Sequence, residues 1–340
     1  MQRLPSTFLA LLVLLGIGAT TAAQNSPMLS GSAGFVTSTT RGDTTYIPLI
    51  QPVGVLPLGD RLLLESRAGL LELITPTSTG HDHSHFVALT YLQGDYIATQ
   101  HLTIVAGSFL LPFGTYNERL TPLWIGNFQN ESVAEPIGQM GTGIGLGGQL
   151  RGSLYSREHS SFSYSAWFSA RSGNLQFKSE RSSGGRGSFY FPVQRLEVGA
   201  SYGRLLQGKH ENFGGMHLWW QTKDGGFRLR SETMRGAHAY GYWFETDYRP
   251  FHDEAGSVSF VRRFEPVFRM QQTFRINNAG TDGAPAQNTQ QADFGLDYNF
   301  SHNTRILTNF SRQFSPGSDV KIWETGIVYR FLLPAWKGRR

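Results

Sequence analysis

Apolar and polar residues alternate with a period of two over most of the chain, and the clearest case is Lys321 to Phe331. There Trp323, Thr325, Ile327, Tyr329 and Phe331 fall on one face, and Ile322, Glu324, Gly326, Val328 and Arg330 on the other, because successive strand side chains point to opposite sides. Comparable runs predict strands over 28–38, 44–56, 61–74, 84–95, 101–112, 142–155, 160–171 and 186–191. Further strands are expected over 195–206, 212–222, 226–236, 238–249, 263–274, 290–300, 303–313 and 321–331. Sixteen short strands with turn signals between them make an all-β chain.

A soluble sandwich or barrel would turn the apolar faces inward, whereas a membrane barrel turns them to lipid and keeps the polar faces in a watery lumen. Sixteen strands enclose a lumen too wide to fill with side chains, so the apolar faces should point out. The faces agree in most strands. Outward sets are Ile144, Leu146, Leu150 and Leu154; Phe162, Tyr164, Ala166 and Phe168 against serines and Trp167; and Phe268, Met270 and Phe274 against Arg269, Gln271 and Thr273. In 61–74 the outward set Leu62, Leu64, Ala68 and Leu70 opposes Arg61, Glu65 and Arg67. The phase then fails, with Glu72 outward and Leu71 and Leu73 inward, and a bulge near Gly69 would restore it.

Connection lengths support the count, since a bacterial barrel alternates short periplasmic turns with longer external loops. Even connections such as Leu58–Asp60, Thr99–His101 and Pro192–Gln194 are tight. Odd ones include Thr75–Ser84, Pro112–Gly141, Ser172–Arg186 and Ile276–Gln290. Gly236–Ala237 is short for an outer loop, and Phe251–Arg262 is long for an inner turn.

Composition sharpens this picture. Met1 to Ala23 has Arg3, an apolar run from Phe8 to Ile17 and small residues before Gln24, so it reads as a secretory signal peptide, leaving 24–340 as one barrel domain. Removing Arg3 takes the net charge from +5 to +4, with no basic block that would suggest nucleic acid. The chain has no Cys, so an exported fold must be held by a large core or a closed sheet. Beyond the signal peptide no apolar run is long enough for a spanning helix, and the mean hydropathy is −0.27. A closed barrel is the remaining way through a bilayer.

Two segments carry family resemblance. The end of the last strand, Glu324, Gly326, Tyr329 and Phe331, resembles the signal by which bacterial outer-membrane proteins are recognised by the barrel-assembly machinery, although Leu332 to Arg340 follow it. Thr103 to Phe128, TIVAGSFLLPFGTYNERLTPLWIGNF, resembles the phosphate-selective porin O and P family in its Gly-x-Phe strand, PFG turn and N-E-R…P-x-W-I loop. The resemblance implies a homotrimer of outer-membrane β-barrels in a bilayer with lipopolysaccharide. It also implies a constriction loop over Thr115–Met140 carrying Tyr116, Glu118, Arg119 and Trp124. In that family arginines line the pore and select anions; inward candidates here are Arg67, Arg151, Arg195, Arg228, Arg230, Arg269 and Arg275, interleaved with Glu65, Glu197, Glu232, Glu245 and Asp247. The family's lysine cluster has no counterpart here. The residues by themselves leave two plainer readings open: a loop that only covers the barrel mouth, and arginine–carboxylate pairs that only stiffen the wall.

Other candidates are weaker. His81, His83 and His85 alternate on one side of an expected surface loop and could share a divalent metal, but lack an evident fourth ligand. Gly141–Gly148 lacks the Lys-Ser/Thr of a phosphate-binding loop and fits a strand. Arg41-Gly42-Asp43 fits a turn. His210, Glu211, Asn212 and His217 lie close in sequence without a serine motif, so no enzyme and no cofactor are expected, and a non-channel barrel, structural or lipid- or protein-cleaving, is one alternative. An exported sugar-binding protein using Trp219, Trp220 and Trp243 is the other alternative. The reading that accounts for the whole chain is a porin for small anionic or neutral solutes.

Overall fold

A computed structural model describes residues 27–120, 122, 124–208, 210–249, 260–277 and 283–334. The expected signal peptide lies outside the described residues. Alternating residues build sixteen strands: β1 (Met28–Thr40), β2 (Asp43–Leu58), β3 (Leu62–Thr77), β4 (Gly80–Thr99), β5 (Leu102–Leu110), β6 (Ile144–Ser156), β7 (Ser161–Ala170) and β8 (Ser182–Phe191). The second half supplies β9 (Leu196–Leu205), β10 (Asn212–Gln221), β11 (Phe227–Arg235), β12 (Ala239–Tyr248), β13 (Phe264–Arg275), β14 (Thr289–Asn299), β15 (Thr304–Ser315) and β16 (Ser318–Pro334). Each strand pairs antiparallel with its sequence neighbours, and β16 closes on β1 from Met28↔Pro334 to Thr40↔Ile322. Closure leaves no sheet edge with unpaired backbone groups, the condition for crossing a bilayer with strands. The end where β1 begins and β16 finishes is called the near rim, and the opposite end the far rim.

The faces follow the alternation. Trp323, Ile327 and Tyr329 are about half exposed on the outside, while Glu324 and Val328 are buried inside. On β7, Phe168 faces out and Ser165, Trp167 and Ser169 face in. Outward rings form ladders across strands, as in Phe244–Phe268–Phe294, with centroids 6.4 and 5.0 Å apart.

Three local expectations are corrected. His81–His85 belongs to β4 rather than to a loop, because Pro76↔His81 and Thr77↔Gly80 continue the β3–β4 ladder to a tight turn at residues 78–79. The bulge lies on β4, opposite the expected place. Arg67 pairs with Tyr91 but Ala68 with Leu89, so Thr90 is the extra residue. The phase of β3 is therefore not reset, and Glu72 stays on the outer face opposite His85. Finally, β8 starts at Ser182, well before the expected Arg186: its Ser- and Gly-rich beginning has no polarity pattern, but β7 and β9 pair with it on both sides.

The core lies inside the barrel. The connection 111–143 turns into the lumen, with a π-helical turn Tyr116–Leu120 and one α-turn Glu135–Gly138. Its Phe113, Tyr116, Leu120, Ile137 and Met140 pack on wall residues Trp167, Phe213, Met234 and Trp243. Trp243 is fully buried, meeting Tyr116 edge-on with centroids 5.6 Å apart, and so offers no surface to a sugar. Because a sixteen-stranded wall cannot fill its own interior, this loop supplies the packing partners for these inward apolar residues.

Candidate functional site: the lumen and its inward loop

The loop is fastened to one side of the wall. β5 ends at Leu110, and the chain turns at Gly114, whose φ of +64° is left-handed. A Cβ at Gly114 would stand 2.5 Å from a Glu232 carboxylate oxygen, so only glycine lets the backbone pass. Glu232 then accepts the Thr115 backbone N–H, the Thr115 hydroxyl and, at 3.0 Å, the Tyr116 N–H. Arg186 on β8 donates to the Gly114 carbonyl and to Glu118 at 2.6 Å. Arg119 binds Glu197 on β9 with both terminal nitrogens, at 2.8 and 2.9 Å, and lies 5.5 Å from the Trp219 ring. Further along, Asn127 donates to Glu245 and Asp247 at 3.1 and 3.2 Å, and the Val133 N–H donates to Gln271 at 2.8 Å. Such charge-assisted bonds hold a loop more firmly than neutral ones. The loop's Glu135 is fully buried with one carboxylate oxygen unpaired. Burial first, and then the nearby Glu232 and Glu131, push its pKa well above the ordinary carboxylate value.

This attachment sorts the inward arginines. Arg230 sits between Glu245 and Asp247 at 2.8 and 2.7 Å, and Arg269 bonds Asp293 at 2.8 Å beneath the Phe128 ring. Both are almost fully buried, so they and Glu232 face inward but are covered by the loop rather than lining open lumen. Arg195 is a turn residue rather than part of β9, with φ +50°; it donates to the Thr222 carbonyl of the next near-rim turn at 3.3 Å. Arg275, at the far end of β13, donates to the carbonyls of Ala284 and Pro285 and ties down the β13–β14 connection. Arg151 pairs with Asp95, and Glu65 accepts from Gln93 at 3.4 Å. With Glu118, Arg119 and Arg186, Arg151 lines a cavity of ≈ 510 Å³ beside β5–β8.

A second cavity, ≈ 390 Å³, opens between the loop segment around Trp124 and the near-rim wall; Arg67, Arg228, Arg249, Arg305 and Arg330 line it. Arg228 bonds Asp247 and Glu265, each at 2.5 Å; Arg249 lies 3.4 Å from Glu265; Arg305 is 5.5 Å from the Trp124 ring and 3.8 Å from Asp297. Arg249, Arg305 and Arg330 were not among the sequence candidates. Inward parity already marked Arg330, and the shared position of all three beside near-rim turns was the available signal.

The remaining candidates do not assemble into sites. His83 bonds Glu72 at 2.7 Å and His85 lies 3.8 Å from the same oxygen, while the rings of His81 and His83 are 6.4 Å apart. Among the described residues no three His, Cys, Asp or Glu side chains converge as metal ligands. His217 is buried 3.4 Å from Glu197, whereas Glu211 is bound by His238 at 2.8 Å, so these residues serve separate partners. Residues 141–143 form a turn and β6 starts at Ile144.

No family model matches the chain, and no curated protein matches it in sequence. Solved structures do match. Salmonella typhi OmpF in complex with daunomycin superposes with TM-score 0.59 at 13% identity, over 90% of this chain and 98% of that one. The anion-selective porin from Comamonas acidovorans gives 0.56 at 12% identity, over 90% and 100%. OmpT, an outer membrane protein of Vibrio cholerae, in its trimer form gives 0.61 at 9% identity, over 90% and 100%. The fold is that of bacterial outer-membrane porins. No family model supports the resemblance of Thr103–Phe128 to the phosphate-selective O and P family.

Proposed function

We propose that this chain is an outer-membrane porin that lets small hydrophilic solutes diffuse down their gradients, with lumenal arginines biasing passage toward anions. The observation that carries the reading is the charged loop 111–143 folded inside a closed barrel, with two arginine-lined cavities beside it. Guanidinium groups replace part of an anion's hydration, and several weak sites in series permit exit as well as entry. No covalent chemistry, metal or cofactor is needed. Export through a cleaved signal peptide, insertion by the barrel-assembly machinery through Gly326, Tyr329 and Phe331, and trimer formation in a lipopolysaccharide-bearing bilayer complete the proposal.

Single-channel recording of the refolded protein in a planar bilayer tests it. Discrete conductance steps, with an anion-favouring reversal potential in a salt gradient, are expected. Deleting 115–140 should raise the conductance. A folded barrel that passes no current would instead indicate a plugged, structural or enzymatic barrel.

A further inference from the structure

We infer that the near-rim cavity binds organic anions bearing an apolar or aromatic body, such as ring carboxylates, as the solute-recognition step of the channel; this rests on the porin reading above. The charge balance of the cavity comes first. Arg228, Arg249 and Arg305 each have a carboxylate within ion-pairing distance. Arg67 is only 5% exposed, yet among the described residues no hydrogen bond or ion pair reaches its guanidinium, which lines the cavity. Elsewhere in this wall the buried Arg230 and Arg269 are both matched by acids. A buried, unmatched cation is costly, and a bound anion would complete it.

The space has a structural cause. Ser30 pairs with Val53, which pairs with Arg67, and Ser32 pairs with Arg330, so small β1 residues separate two arginines on the inner wall. At Gly31, between the two serines, a Cβ would come within 2.2 Å of the Gln51 carbonyl oxygen, which keeps this part of β1 narrow. Arg330, like Arg67, has no carboxylate in ion-pairing reach among the described residues.

The opposite side decides the ligand class. The loop presents Pro122, Trp124 and Ile125 to the cavity, and Ile125 is 46% exposed there. A hydrated inorganic ion would leave these surfaces wet, whereas a ligand with an apolar body covers them while its carboxylate meets Arg67 and Arg330. The cavity lies within the size range of small-ligand pockets.

The test is calorimetric titration of the full-length folded barrel in detergent with benzoate, acetate and inorganic phosphate at one ionic strength, beside bilayer recordings of the same preparation. Benzoate should bind about tenfold or more tighter than acetate or phosphate. Arg67→Gln should weaken benzoate binding by about tenfold, and Arg330→Gln, at a more exposed position, provides a second variant if the first does not fold. Trp124→Ala should reduce benzoate binding and leave acetate unchanged. Equal binding of the three anions, or arginine variants that bind benzoate as well as the parent does, overturns the site even if the pore conducts. Benzoate binding with these dependences and no conductance keeps the site and overturns the channel.

Discussion

Glu232 on β11 accepts the backbone N–H of Tyr116 at 3.0 Å, across 116 positions of sequence, and the same carboxylate oxygen holds Thr115 through two further bonds. One acidic side chain thereby fastens the beginning of the inward loop to the barrel wall. Hydrogen bonds to a charged group contribute about 1.5–3 kcal/mol each when buried. Glu232→Ala should therefore raise the population of the released loop by at least about tenfold with the barrel intact. The readout is the frequency of high-conductance transitions in single-channel records, and unchanged gating would show that the loop is held elsewhere.

Gly114 makes that contact sterically possible. Gly114→Ala places a methyl against the Glu232 carboxylate at a left-handed φ, a combination expected to cost more than about 1 kcal/mol. The loop should shift while the strands hold. Limited trypsin digestion checks this, because Arg119, which Glu197 and Trp219 protect, should become cleavable in the variant and stay resistant in the parent.

The attachment should also depend on pH through Glu135. It is faced by Glu131 from the loop and by Glu232 from β11, and Glu232 in turn is faced by His217. With its folded pKa raised, Glu135 contributes no penalty below the ordinary carboxylate pKa of about 4.3. As pH rises from there toward the raised value, the released state loses its proton first and is favoured. Loop opening should increase from pH 4 to 7, and Glu135→Gln should flatten that part of the profile; a variant retaining the full pH response would refute this origin.

Trp243 supplies the apolar half of the anchorage. Trp243→Ala removes a fully buried ring from against Tyr116, a loss of about 3–5 kcal/mol for a core aromatic. Hydrogen exchange should accelerate in 114–120 far more than in β12 and β13, whose ladder bonds do not depend on that side chain. Equal acceleration throughout would mean that the ring supports the barrel itself.

Local chemistry determined much of this protein. The two-residue period set the strand count and the outward apolar faces from β1 to β16, because side-chain alternation is a property of each strand alone. The PFG turn marked where the chain leaves the wall. Tertiary structure decided the rest. Arg228, Arg230 and Arg269 share the same inward parity, yet Arg228 lines a cavity while the other two lie under the loop, a distinction made by contacts such as Asn127 with Asp247, 120 residues apart. Ser182 to Gly185 and His81 to His83 carry little strand signal and became strand because their neighbours' backbones pair with them. The near-rim cavity, gathered from β1, β3, β11, β15 and β16 and from Arg249 just beyond β12, exists only once the sheet closes and brings arginines from both ends of the chain around one space.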